Sequence, residues 1–209
     1  MAAITDFDSL KNEISAYTGR TDWTTERDGF IRLTESYFNR DLRHHRMLAK
    51  TTLTATAGDA YVDMPADFAQ VESLTVVSGT RTVLEPTTNV SIESLFSDGA
   101  TGVPTHFAVV GTQFRLARIP DSAYSLELIY YQEIPALSDS QTTNWLLTRF
   151  PDAYLFGSLL QAEPYLQNDA RLQTWGLMFE AVMRGLEEDN DRVNWSGGPA
   201  SATIDINVV

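Results

Sequence analysis

FIRLTESYFNRDLRHHRMLAKTTLTATAGDAYVDMP, residues 30–65, changes its period part-way along. In its first half Phe30, Ile31, Thr34, Tyr37, Phe38 and Leu42 recur at three- and four-residue intervals, the spacing of one helix face. In its second half Thr51 to Thr56 is β-branched and alternating. Ala57-Gly58-Asp59-Ala60 then makes a turn, and Tyr61–Met64 is a short strand stopped by Pro65. The pattern predicts a helix from about Asp22 to His45 and strands from Lys50 onward. Asp22 is placed to cap that helix, with Glu26 in its first turn, where the helix dipole favours an anion.

Working outward, Phe7, Leu10, Ile14 and Tyr17 make an earlier helical stripe, with Thr5 or Asp6 to open it and Gly19 to close it. Strands are expected at Val71–Val77 and Arg81–Glu85, and a short helix over 89–97. His106–Val110 and Gln113–Arg118 flank Gly111-Thr112, a hairpin link with glycine first. Tyr124–Tyr131 is the clearest strand, with Tyr124, Leu126, Leu128 and Tyr130 on one face. Helices then return. Asn144 caps a turn holding Trp145, Leu146 and Leu147. Pro151 opens a helix to about Ala162, with Pro164 limiting its extension. A last helix runs from about Asp169 to Arg192, seamed by Leu172, Trp175, Phe179, Val182 and Leu186. Glu180, Glu187, Glu188, Asp189 and Asp191 are expected on its opposite face and at its end.

The order helices, strands, helices predicts an α+β fold. Its N- and C-terminal helices form a bundle (1–48 and 136–195) around an inserted antiparallel β-rich domain of five to seven strands (49–135). Ser196-Gly197-Gly198-Pro199 reads as a break before an extended arm over 196–209. In that arm Ala202, Ile204, Ile206 and Val208 alternate with Thr203, Asp205 and Asn207. Such a strand completes a sheet, either its own or a partner's, or stays unpaired; all these readings stay open.

Composition narrows the function. The chain has 209 residues, 43% hydrophobic and 21% charged, which is globular. With no cysteine it has no disulfide, thiolate metal site or thiol nucleophile. No apolar run is long enough for a membrane-spanning helix. MAAITDFDSLKNE lacks the basic start and apolar core of a secretory signal, so none is expected. The net charge of −13 makes general binding of nucleic acid unfavourable, because phosphates are repelled. The charge is uneven: residues 1–50 hold 8 bases and 8 acids, whereas residues 51–209 hold 7 bases and 20 acids. Of the basic residues, 13 are Arg and 2 are Lys. Arginine suits protein interfaces, and lineage bias gives the same count; both readings stand.

Motifs for chemistry are missing. The chain has no G-x-S-x-G, no phosphate-binding glycine loop and no H-E-x-x-H. His44 and His45, with Asp41, are the only hint of a metal site, and the reading preferred for them is a solvated helix end where cations suit the dipole. His106, beside Phe107 in a strand, reads as a packing residue. No cofactor is expected. Carboxylates are plentiful, so a glycosidase-type carboxylate hydrolase stays an alternative, but it needs two acids facing across a cleft. Arg40, Arg43, Arg46 and Lys50 form the one basic cluster. It reads as a dock for an acidic protein surface, or as cations stabilised by a helix C-terminus.

Three blocks in order resemble a known family: LTESYFNRDLRHHRMLAKTTLTATAGDAYVDMPADFAQVESLTV (33–76), GVPTHFAVVGTQFRLARIPDSAYSLELIYYQEIPALSDSQTTNWLLTRFPDAYLFGSLLQAEPYL (102–166) and NWSGGP (194–199). They look like the head-to-tail adaptor, or connector, proteins of short-tailed bacteriophages, over roughly residues 10–199. The resemblance implies a structural virion protein without enzymatic activity, assembled in the host cytoplasm. It also implies a ring, usually of twelve copies, beneath the portal protein. The ring extends the DNA channel and carries the tail nozzle and fibres. DNA passes through it without specific binding, and no membrane is involved. Arg40, Arg43, Arg46, Trp195, Ile204, Ile206 and Val208 are then candidates for contact with the portal or a neighbouring subunit. Glu180, Glu187, Glu188 and Asp191 are candidates for lining the channel. Another neck component, a stopper or tail-completion protein, is the nearest alternative.

Overall fold

A computed structural model describes residues 3–96, 99–166 and 171–194. The chain opens with α1 (Phe7–Thr18) and α2 (Glu26–Asp41), then a 3₁₀ turn at His45–Met47. Five strands follow: β1 (Leu48–Ala55), β2 (Tyr61–Asp63), β3 (Phe68–Val76), β4 (Thr82–Val83) and β5 (Glu85–Pro86). After α3 (Asn89–Leu95) come β6 (His106–Val110), β7 (Gln113–Ala117) and β8 (Tyr124–Gln132). Helices α4 (Trp145–Arg149), α5 (Pro151–Gln161), α6 (Glu163–Leu166) and α7 (Arg171–Asn194) complete it. The architecture is α+β. Met47–Glu133 forms one compact unit, and the segments before and after it form the other.

In the helical unit, local signals set the helix ends. Asp6 caps α1, its carboxylate accepting from the Ser9 N–H at 2.8 Å while the Ser9 hydroxyl accepts from the Asp6 N–H at 2.9 Å. Asn144 caps α4 through the Leu147 N–H, and Pro151 opens α5 at a position where its missing N–H costs nothing. Helix α5 packs against α1, α2, α4 and α7 and buries Ala153, Tyr154, Leu155, Ser158 and Leu159 around most of its circumference, as a central helix must. Gly157 sets how closely its neighbours approach. A Cβ there would stand 2.5 Å from Thr34 Cγ2 on α2 and 3.1 Å from Phe179 Cε2 on α7. The α7 seam is as the spacing predicts: Trp175 and Leu186 are buried, and Leu172, Phe179 and Val182 half-buried.

Helix α2 is shorter than its sequence suggests. Asp22 does not cap it, because its carboxylate is held by the Arg20 guanidinium in two bonds of 2.8 and 2.9 Å. The cap position is Thr25, without a side-chain bond. At the other end Leu42 is extended (φ −84°, ψ 131°), so residues 42–44 alternate: Leu42 and His44 go inside, and Arg43 turns out. Pro164 does not stop the chain from turning helical again, because it falls in the first turn of α6, where its ring is tolerated.

In the β unit two four-stranded sheets, ordered β1-β8-β3-β4 and β2-β7-β6-β5, share one core. Ala55, Leu74, Val76, Leu126, Leu128 and Tyr130 come from the first sheet, and Val62, Phe107, Phe114 and Leu116 from the second. Eight strands are present among the described residues, more than the five to seven expected, because Arg81–Glu85 divides into β4 and β5, which serve different sheets. Not every pair is antiparallel. β5 runs parallel to β6, since α3 returns the chain between them. At the β6–β7 hairpin Gly111 has φ +60°, a conformation a side chain resists, which is why glycine stands first in that link.

Candidate interaction surfaces

Two buried polar groups hold the helical unit together. The Glu35 carboxylate on α2 accepts from the Leu137 N–H at 2.7 Å and from the Tyr154 hydroxyl at 3.3 Å. Asn144 donates to the Tyr154 oxygen at 2.7 Å and to the Pro135 carbonyl at 2.9 Å. One turn after Glu35, Asn39 accepts from the Ile134 N–H at 2.8 Å. Residues 134–137 are thus pinned to α2 by two side chains spaced i, i+4. Burial raises the pKa of Glu35, against the lowering by its two donors, and also raises that of Tyr154.

The second group is His44. Its ring stacks on Trp145 with centroids 5.1 Å apart and lies 4.2 Å from the His45 ring. Its Nδ1 accepts from the Arg46 N–H at 3.3 Å, and its Nε2 stands 3.5 Å from Asp189 on α7. The Asn190 side chain accepts from the His45 N–H at 2.7 Å. His44 is fully enclosed, and burial, with His45 beside it, pulls its pKa down to about 4, against the pull of Asp189. The histidine pair is therefore no solvated helix end. The extended turn at Leu42 buries His44 as a neutral packing group. Among the described residues no cluster of three or more His, Asp or Glu suits a metal ion.

The sequence-nominated surface residues fall into three sets. The basic ones lie at and beyond the end of α2. Arg40 is exposed, grips Asp41 at 3.1 and 3.2 Å and covers the Tyr37 ring at 5.6 Å. Arg43 donates to the Asn39 and Leu42 carbonyls at 3.0 and 2.7 Å, closing the helix end. Arg46 is exposed, and Lys50 belongs to the other unit, where it pairs with Glu127. The acidic candidates Glu180, Glu187, Glu188 and Asp191 are all exposed on α7, whereas Asp189 turns inward to His44. Trp195, Ile204, Ile206 and Val208 lie outside the described residues.

The structure adds apolar surface that the sequence reading passed over. Leu33 and Tyr165 are 54% and 53% exposed beside a groove of about 530 Å³ that Phe30, Leu160 and Pro164 also line. Leu177 is 69% exposed on α7. The signal was available: neither Leu33 nor Leu177 belongs to the apolar stripe of its own helix.

A family described as SU10 adaptor protein matches residues 5–203. The chain belongs to the SU10 adaptor protein family. This adaptor is accordingly related to structural proteins of bacteriophages, and its family works by joining other virion parts. No curated protein matches the adaptor. Among the described residues of the adaptor no helix is long and apolar enough to cross a membrane.

Proposed function

We propose that this adaptor is a component of the virion neck that forms a ring beneath the portal protein, extends the DNA channel and carries the tail nozzle and fibres. The copy number implied by the resemblance is twelve. In this reading the helical segments form the body, the β-rich segment is an inserted domain, residues 196–209 are an arm, and the protein performs no catalysis. The observation that carries the channel role is the exposed row Glu180, Glu187 and Asp191 with Glu188 beside it on α7. Fixed carboxylates facing the lumen repel the phosphate backbone, so DNA slides rather than sticks. Arg40, Arg43, Arg46 and Trp195, with Ile204, Ile206 and Val208 in the arm, contact the portal or a neighbouring subunit.

A cryo-EM map of the neck tests it. The expected result is a closed ring against the portal, with the α7 carboxylates facing the lumen. A ring with all four on its outer wall overturns the channel assignment. A chain that stays monomeric with and without the portal overturns the ring.

A further inference from the structure

The β1 strand ends its sheet. Among the described residues it pairs only with β8, from Leu48↔Tyr131 to Ala55↔Tyr124, and its other side carries no strand. An eight-residue open edge is an invitation to pair, and proteins rarely leave one uncovered. Its side chains alternate. Leu48, Lys50, Thr52 and Thr54 face solvent, while Ala49 and Leu53 face the core but stay only half-buried. Apolar surface at the rim of the core therefore lacks a cover on the β1 side.

The same chain supplies a sequence of matching pattern. Residues 202–208 alternate Ala202, Ile204, Ile206 and Val208 with Thr203, Asp205 and Asn207. Laid beside β1, seven residues against eight, the apolar set extends the core face next to Ala49 and Leu53. The polar set falls beside Lys50, Thr52 and Thr54, because paired residues on adjacent strands point to the same face. Charge agrees. Glu127 is contacted by both Lys50 and Arg81, so this trio carries one surplus positive charge, and Asp205 is the one acid among residues 202–208.

We infer that the arm of one copy adds residues 202–208 as a strand to the β1 edge of a second copy. Donor and acceptor are different surfaces of one chain, so each copy gives one strand and receives one. That is the head-to-tail interface a closed ring requires. The inference deepens the ring reading and rests on it.

The absence of cysteine makes a clean test. One full-length population carries Thr52→Cys or Thr54→Cys. The other, enlarged by a fusion tag, carries Asp205→Cys or Asn207→Cys. They are assembled together with the portal and oxidised. The oligomeric state of the unmodified chain is measured alongside. The expected result is a mixed disulfide between the two sizes, absent when Leu53→Cys on the opposite face replaces Thr52→Cys. Asp205→Lys, combined with Asn207→Cys, is expected to cut its yield roughly two- to fivefold, as for an exposed ion pair. If the chain assembles and no mixed disulfide forms, the strand pairing is wrong and the ring stands. If the chain does not assemble at all, the ring reading fails and this inference with it.

Discussion

The Glu35 carboxylate and the Tyr154 hydroxyl meet at 3.3 Å across 119 residues of sequence, inside the helical unit. Glu35 also holds the Leu137 N–H, so one buried side chain ties α2, α5 and the returning segment. Removing a buried acceptor leaves its donors unsatisfied. Glu35→Leu is expected to cost about 2–4 kcal/mol, since it orphans both the Leu137 N–H and the Tyr154 hydroxyl. Tyr154→Phe is expected to cost about 1–2 kcal/mol, and Glu35→Gln less than Glu35→Leu because its amide oxygen still accepts. Urea denaturation of the full chain measures all three.

His44 gives the fold an acid limit. Its pKa falls from 6.5 to about 4 on folding, so between those values the unfolded chain binds the extra proton. Stability is therefore lost as pH falls from about 6.5 towards 4, by at most about 3 kcal/mol. Glu35 shifts the other way. Its raised pKa makes the folded chain hold the proton longer, so its contribution declines as pH rises above the ordinary carboxylate value of 4.5. Denaturation midpoints compared between the native chain and His44→Phe isolate the histidine. The loss between pH 6.5 and pH 4 is expected to shrink in the variant, which keeps the stack on Trp145.

Gly157→Ala places a methyl against Thr34 and is expected to cost about 1–3 kcal/mol. Gly185→Ala on α7, where nothing lies within 4 Å, is expected to stabilise by about 0.5–1 kcal/mol through helix propensity alone. Thermal melts of the two variants should move in opposite directions.

The three arginines should separate by role. Arg40→Ala breaks an exposed pair and changes stability by less than about 1 kcal/mol. Arg46→Ala should be as mild. Arg43→Ala removes donors from the last carbonyls of α2 and is expected to cost about 1 kcal/mol. If these residues form a docking surface, the first two variants bind the portal more weakly while melting normally. Unchanged portal affinity for both would remove them from the interface.

Most of this fold was legible in one dimension. The stripe of α1, the alternation of β8, the Asn144 cap, Pro151 at the start of α5 and Gly111 in the hairpin all rest on interactions within a few residues. The surface candidates were legible only as types. That Asp189 turns inward while Glu188 stays out needed the packing of α7 beside the end of α2. The burial of His44 is not legible in the sequence, because a helix continued to about His45 leaves the histidines at a solvated end, whereas the extended backbone at Leu42 turns His44 inward.

Sequence alone determined which segments coil, which extend, and which side of each is apolar, because period and capping are local properties of the chain. It also determined the family, through blocks spaced along nearly the whole length. Tertiary structure alone decided the strand order β1-β8-β3-β4, the split of Arg81–Glu85 between two sheets, and the pairing of Glu35 with Leu137 and Tyr154. Periodicity says which face is dry, but what covers it is a contact between residues far apart in the chain, and only the folded packing fixes that partner.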